Sequence, residues 1–405
     1  MKYLFLPPAF IRRFLVLPVV LLLFGFSTAL GGRWYIRSQA GSDSHTGQSW
    51  SEALATLDAA LDSCLSGDTL LVGERSPFCP DTLTGGVEIG TSCSIWGVAA
   101  ADTLAARAGG SRFVIVNDPM EANTQDLLVV RGEGVQCRIT GVDVIGNYSG
   151  SSSNWGDRLI WAADTSQLLV DNATASYGTI GFAVTKGAQL TVTNSEANGN
   201  TVGFWANVAG SSLTARDCVT RGNNNGYSSQ NLADFSISQC QSFSDNTGIS
   251  IPSSSPTSGL ELDHLLIADA SIALSLYLTS SKDSLALHHL TIVDCVTGVS
   301  IGQGIVQLDR SVLTGITTLA SVSGGSVYLG QSLAYAIASG FDDVVIIEPM
   351  LYLIPRFVHP EADNWALRPG SPGDRCWGLP EPLGAFPRPT TCDTRWSRGQ
   401  WMRLQ

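Results

Sequence analysis

The chain is 405 residues long, with 14% charged residues, 42 glycines and a formal net charge of -12. That composition excludes coiled coil and charged disorder. The acidity excludes nucleic acid and anionic membrane surfaces as default partners, because both need a basic face. The length admits two or three ordinary domains or one elongated repeat domain.

Residues 1–29 read as an export signal. Lys2, Arg12 and Arg13 flank or precede the apolar run FLVLPVVLLLFGF, and STA ending at Ala29 offers a small-residue cleavage site. The mature chain is therefore expected in the periplasm, at the cell surface or in the medium, with no membrane span after signal removal and as a monomer. Nine cysteines in an exported chain invite disulfides. Cys64 with Cys79 and Cys376 with Cys392 are close enough in sequence to staple the two ends. None has zinc-ligand spacing, so no metal site is read from them.

Residues 30–75 open with a strand, then a Gly/Ser/Asp turn, then a helix. Ser49 and Glu52 have the spacing of a capping box. From Trp50, apolar residues at Ala53, Leu54, Leu57, Ala60, Leu61, Cys64 and Leu65 fall on one helical face. Gly67 ends this segment and DTLLV begins a strand. A single amphipathic helix in a chain with almost no other helix needs a large apolar surface to lie on.

A six-residue phrase supplies that surface. LLVDNA begins at Leu168, and LTVTNS, LTARDC, FSISQC, LELDHL, LALHHL, VQLDRS and VYLGQS follow at Leu190, Leu213, Phe235, Leu260, Leu285, Val306 and Val327, a period of 21–25 residues. Fainter copies begin at Cys93 and Cys137. First and third positions are all apolar, which is the period-two pattern of a half-buried strand. Fifth positions are all polar (Asn172, Asn194, Asp217, Gln239, His264, His289, Arg310, Gln331), as a corner requires. Several copies continue with a turn, a glycine and a second alternating strand, as in GTIGFAV at Gly178 and NTVGFWA at Asn200. Helical repeats and propeller blades need longer periods. One coil of a parallel β-solenoid, with at least two strands and two corners, fits over 76–345. Equivalent residues then stack ~4.8 Å apart. The bottom coil would expose unpaired edges, and the Trp50–Leu65 face is expected to close it.

The opening YIRSQAGSDSHTGQSWSEALATLDAALDSCLSGDTLLVGE resembles that of bacterial exported right-handed parallel β-helix proteins of the pectin-lyase-like superfamily. IIEPMLYLI at Ile346, DNWALRPGSPGD at Asp363 and LGAF at Leu383 resemble the closing segment (346–386) of anchored members of that group. Glu348 and Leu383 stand where those endings usually carry Asp, and GDRCW replaces their apolar-Asp-Gly run after GSP. A basic, Trp-rich tail occupies 387–405. The resemblance implies an all-β fold, a right-handed parallel β-helix of roughly 9–10 coils with a short N-terminal capping helix. It says much less about activity.

Chemistry could sit on the outward second and fourth positions. Glu261, Asp263, His288 and Asp309 are expected to cluster across three adjacent coils, with Arg216 two coils below Asp263 as a substrate clamp. Stacked carboxylates can cleave glycosides or hold Ca2+, and a histidine between them can shuttle a proton. The plainer reading is a solvated face of alternating charge. His264 and His289 share the corner column and could hold a transition metal; as members of a polar ladder they need no ion. Cys218 and Cys240 read as buried thiols. Tyr148, Trp155 and Trp161 lie in or beside the insertion GNYSGSSSNWGDRLIW, a candidate platform for stacking sugars, though Trp161 suits core packing equally.

Two function classes follow. One is a non-catalytic envelope or extracellular protein contacting glycans or partner proteins along its long face. The other is a polysaccharide lyase or glycoside hydrolase using the acidic face. Lyases of the superfamily generally use a Lys or Arg base, and after the signal this chain has only Lys186 and Lys282, neither on that face. The first class is favoured.

Overall fold

A computed structural model describes residues 31–73, 82–84, 86–98, 113–116, 126–146 and 158–384, apart from 232, 256–258, 279, 282, 343, 347–349, 361–363, 369–370 and 373–382. Residues 1–29, read as an export signal, and Cys79, Cys376, Cys392, Tyr148, Trp155, Glu348 and the tail lie outside these residues.

The chain winds as a right-handed parallel β-helix. One rung is Gln167–Asp171 on face I, Thr174–Ser176 on face II and Ile180–Val184 on face III, and the next rung repeats all three. Each rung thus has three strands where the sequence pattern marks two. Face II strands are three or four residues long, too short for a period to register. The phrase is face I: Leu168 pairs with Leu190, Leu190 with Leu213, Leu213 with Phe235 and Phe235 with Leu260. The faint copies belong to it as well, since Cys93 pairs with Cys137 and Cys137 with Leu168.

The turn between faces I and II explains the polar fifth column. Asn172, Asn194, Asp217, Gln239, His264, His289 and Arg310 all adopt left-handed backbone, with φ between 50 and 56°. Short polar side chains tolerate that region best. The glycine of the second signal has a different cause. A Cβ on Gly181 would lie 2.6 Å from the Gly203 carbonyl oxygen, and one on Gly203 would lie 2.5 Å from that of Gly226. Adjacent rungs approach too closely there for a side chain.

First and third positions fill the lumen, and Phe182, Phe204 and Tyr227 stack along it with ring centroids 4.6 and 5.0 Å apart. Cys218 and Cys240 are reduced, buried and stacked, the Cys218 amide reaching the Cys240 sulfur at 3.4 Å. A second inner ladder runs Asn200, Asn223, Asp245. Each Asn amide nitrogen donates to a backbone carbonyl below and to the ladder residue above. Asp245, 1% exposed, ends it and accepts from Thr220, Ser242 and Asn223. Burial raises its pKa; those donors offset the rise only in part. The native state therefore binds this proton more tightly than the unfolded chain does. Its stabilising effect is complete below the unfolded carboxylate pKa and is lost as pH rises through the folded value. Asp245→Asn extends the ladder without the charge. It is expected to match or exceed the parent in denaturant unfolding at neutral pH, by on the order of 1 kcal/mol, with the gap closing in acid.

The N-terminal cap departs from one continuous helix. Trp50–Glu52 is a short 3-10 turn, Ala53 is extended, and the α-helix runs Leu57–Ser63. Leu54 is drawn out of the helix because it bridges Ile36: its amide donates to Tyr35 and its carbonyl accepts from Arg37. The helix is capped by Thr56, whose hydroxyl accepts from Ala59, rather than by a Ser49/Glu52 box. Glu52 instead accepts from Thr46. Asp43, in the GSD turn, accepts from the Ala55 and Thr56 amides and so fixes the helix start. Leu57 and Ala60 are buried against the bottom of the lumen, whereas Leu65 is 73% exposed. Cys64 is a buried thiol beside Cys93; its expected partner Cys79 lies outside the described residues.

The closing segment folds back over the outer side of face II. Phe357 and Trp365 pack on Phe243, Leu266, Ala268 and Val293, and Leu367 and Leu383 on Val312 and Leu333. Ser371 of GSP is fully buried and accepts from the Arg356 amide, while the Gly384 amide donates to Arg310. These contacts give the GSP and LGA motifs packing duties within the fold.

Candidate functional site

Face I carries two polar features on its outer side. The upper one contains the expected cluster. Ser238 pairs with Asp263, Asp263 with His288 and His288 with Asp309, so the three side chains occupy consecutive rungs. Arg216 pairs with Ser238, two rungs below Asp263. Contacts divide this set. Arg216 donates to Gln239 at 2.9 Å and lies 3.3 Å from Asp217, turned to its own corner. Glu261 accepts from Ser236 at 3.1 Å. His288 Nδ1 lies 3.5 Å from Asp309, and Asp309 also accepts from the Gln331 amide. The Asp309 carboxylate leans over Gly330, where a Cβ would come within 2.5 Å.

Asp263 is drawn to the corner column. His264 Nδ1 lies 2.7 Å from its Oδ2 and His289 Nδ1 lies 3.3 Å from its Oδ1. The two imidazoles stack with centroids 4.4 Å apart and planes 23° apart. Partial burial would raise the Asp263 pKa, but the two histidines outweigh it and hold the group below the ordinary carboxylate value. Asp263 is therefore ionised at neutral pH, and it cannot serve there as the proton donor of a glycosidase pair. Reading outward positions alone missed His264 and His289 as its partners. The polar corner column was the available signal, because corner side chains lie beside the outward fourth position of their own rung and of the rung below.

The lower feature is a groove of about 370 Å³ across four face I strands. Ser94, Gln136, Arg138, Gln167, Gln189 and Thr191 line it. Gln136, Gln167 and Gln189 are in direct register, which places three exposed amides in a row one rung apart. Among the described residues that line the groove, Arg138 is the one charged side chain. Sequence reasoning missed this groove, because these three glutamines stand just before their phrases, outside the six-residue alignment.

Of the expected aromatic platform, Trp161 alone falls among the described residues, and it is buried. Trp161 is 4% exposed, on the outer side of face III, among Val129, Ile180, Ala183, Val202 and Trp205. Its Nε1 donates to Thr185 at 2.9 Å and the Arg158 guanidinium covers its ring at 3.4 Å. Arg158 is held there by a two-pronged pair with Asp126. Both ring faces are thus committed to packing, and Trp161 is a wall element rather than a sugar-stacking surface. Tyr148 and Trp155 lie outside the described residues.

Among the described residues no helix is long and apolar enough to cross a membrane. Comparison with curated proteins returns no match. A family model described as "Periplasmic copper-binding protein (NosD)" matches residues 112–300, in line with an exported chain. Among solved structures, a rhamnogalacturonan lyase is similar at 12% identity and TM-score 0.53, covering 92% of this chain and 98% of its own. Pectate lyase Pel9A is similar at 13% identity and TM-score 0.52, covering 88% and 96%. The catalytic domain of a GH87 alpha-1,3-glucanase, at 11% identity and TM-score 0.50, covers 80% and 68%. At these identities the likeness is one of fold: the chain shares the right-handed parallel β-helix of these structures.

Proposed function

We propose that this is an exported, non-catalytic β-helix protein that binds a polysaccharide along the lower groove of face I. The observation that carries the reading is the row Gln136, Gln167, Gln189 beside Arg138. Amides one rung apart offer donors and acceptors to the hydroxyls of a chain lying across the strands, and one guanidinium can meet a carboxylate. The family match supports a periplasmic location and a binding role. The fold shared with lyases and a glucanase supports a glycan as the ligand.

Turnover is disfavoured by what surrounds Arg138. No carboxylate is among the described residues that line the groove, so a base there would lack acidic calcium ligands and an acid partner. The Asp263 cluster sits three rungs above Thr193, about 14 Å away at ~4.8 Å per rung. In the rival reading, a polysaccharide lyase or glycoside hydrolase working through that cluster, an ionised Asp263 would serve as base or nucleophile, and the proton donor would come from another group of the cluster.

The test is affinity electrophoresis of the mature chain in gels containing neutral and uronate polysaccharides. The parent is expected to be retarded by at least one glycan. Arg138→Ala combined with Gln167→Ala is expected to weaken retardation about tenfold or more, in proportion to two lost polar contacts. Undiminished retardation in the double variant would move the ligand off this groove.

A further inference from the structure

We propose that Cys93 and Cys137 become joined by a disulfide that ties two face I rungs together beneath the lower groove. Both stand at the first position of their phrases, a column that is Leu, Phe or Val in all eight later copies. They are direct partners on adjacent parallel strands, Cys93–Val98 and Gln136–Thr140. Both side chains are buried in the lumen, and their sulfurs lie 4.0 Å apart. Register on paired strands keeps the two Cα atoms ~4.8 Å apart. That is within the range of about 4.4–6.8 Å that a disulfide spans. Closing the sulfurs to about 2.05 Å asks for side-chain rotation and leaves the ladder in place.

A pair of packed thiols is the competing explanation, and Cys218 with Cys240 shows what one looks like. Those two also stand on adjacent rungs. Cys218 Sγ, however, donates to the Val192 and Arg216 carbonyls, and Cys240 Sγ to those of Ala215 and Ser238. Each sulfur is committed to backbone. Cys93 and Cys137 instead meet sulfur to sulfur. Cys64 also approaches Cys93, but it follows the cap helix, outside the paired strands, and its Sγ donates to the Leu65 carbonyl at 3.5 Å. The ladder therefore selects Cys137 as the partner.

The oxidant is itself a disulfide, of a thiol oxidant in the export compartment or of glutathione. One cysteine thiolate attacks that disulfide and releases one of its sulfurs; the second thiolate then displaces the other. Two protons and two electrons leave the cysteines, and the oxidant ends as two thiols. Hydrogen bonding with Cys137 and burial push the Cys93 thiol well above its ordinary range in the folded chain. The folded dithiol is therefore slow to exchange, and the bond forms before the rungs close over it. Once made, it closes a span of 44 residues. It also fixes the strands that carry Ser94, Gln136 and Arg138 at the groove. The bond does not depend on what the groove binds.

The experiment uses the mature full-length chain, reduced and unfolded, then refolded with reduced and oxidised glutathione and alkylated in denaturant before tryptic digestion. Cys93 falls in the tryptic peptide 76–107 and Cys137 in 132–138. A product joining these two peptides is expected, with Cys218 and Cys240 alkylated. It should persist in Cys79→Ser, which removes the other cysteine of 76–107, and vanish in Cys137→Val. Parent refolded without oxidant should exchange the Ile95 and Ile139 amides about tenfold faster or more than the bridged form. Cys93→Val with Cys137→Val should show no such difference. Alkylation of both cysteines in the oxidatively refolded parent would overturn the proposal. So would a bond from Cys93 to Cys64, loss of the joined product in Cys79→Ser, or equal amide exchange in the two parent forms.

Discussion

Phe204→Ala should destabilise the β-helix by about 3–5 kcal/mol, the usual cost of emptying a buried aromatic site. Phe204 is fully buried in mid-lumen, with Phe182 stacked below it at 4.6 Å and Tyr227 above at 5.0 Å. Truncation removes the ring and both stacking contacts, each of which adds about 0.5–1.5 kcal/mol beyond area burial. The rungs cannot close the gap, because their spacing is set by backbone hydrogen bonds and by the Gly181 and Gly203 approach on the same strands. In a solenoid, stability is largely nearest-neighbour, so the loss concentrates in the rungs beside residue 204. Denaturant unfolding followed by hydrogen exchange checks this. Phe204→Leu, which refills part of the volume, should lose clearly less. A loss below about 1 kcal/mol for the alanine variant would mean that the rings do not form this column.

Asp68→Ala is the second large effect, about 3–5 kcal/mol, because it strands three donors that a carboxylate now satisfies. Asp68 begins the first full face I strand and is 5% exposed. It accepts from the Gly32 amide at 2.6 Å, the Trp34 indole at 2.9 Å and the Leu65 amide at 2.9 Å. One side chain thus ties the N-terminal strand, the end of the cap and the first rung. Burial alone would raise its pKa, but the three donors outweigh that and hold it below the ordinary carboxylate value. The folded pKa being depressed, this stabilisation is present above the unfolded carboxylate pKa. It is lost as pH falls through the folded value. Unfolding midpoints at pH 7 and in acid should therefore diverge in the parent and converge in Asp68→Asn, which keeps one accepting oxygen. An alanine variant as stable as the parent would show that the cap does not depend on this anchor. Loosening it would also expose strand edges, so faster aggregation is the expected companion.

Much of the fold was legible because a lumen-facing strand repeats apolar residues at period two and a corner repeats a polar one. The eight phrases fall in register along face I, and even the faint copies at Cys93 and Cys137 were readable from Ile95 and Ile139, which pair with each other. The short face II strands escaped because three or four residues carry no period. The cap was misread in detail. Leu54 fits a helical face by spacing, but the open edge at Ile36 claims it for a bridge, a tertiary contact that local pattern cannot register. Trp161 was ambiguous for a related reason: outward-pointing residues are exposed only if nothing covers them, and Arg158 covers this one. At the candidate sites, the rung order Asp263, His288, Asp309 followed from alignment alone. Which neighbour each side chain chooses did not. His264 and His289 reach Asp263 because corner side chains lie beside the outward fourth position, and that adjacency is not written in a column of residue types.

The claim of binding without turnover is tested most directly by incubating the mature chain with the polysaccharides that retard it and following new reducing ends and unsaturated products. Retention with no product above a heat-denatured control is the predicted result. Products that appear with the parent and vanish in Asp263→Asn would contradict it and make the upper cluster of face I an active site.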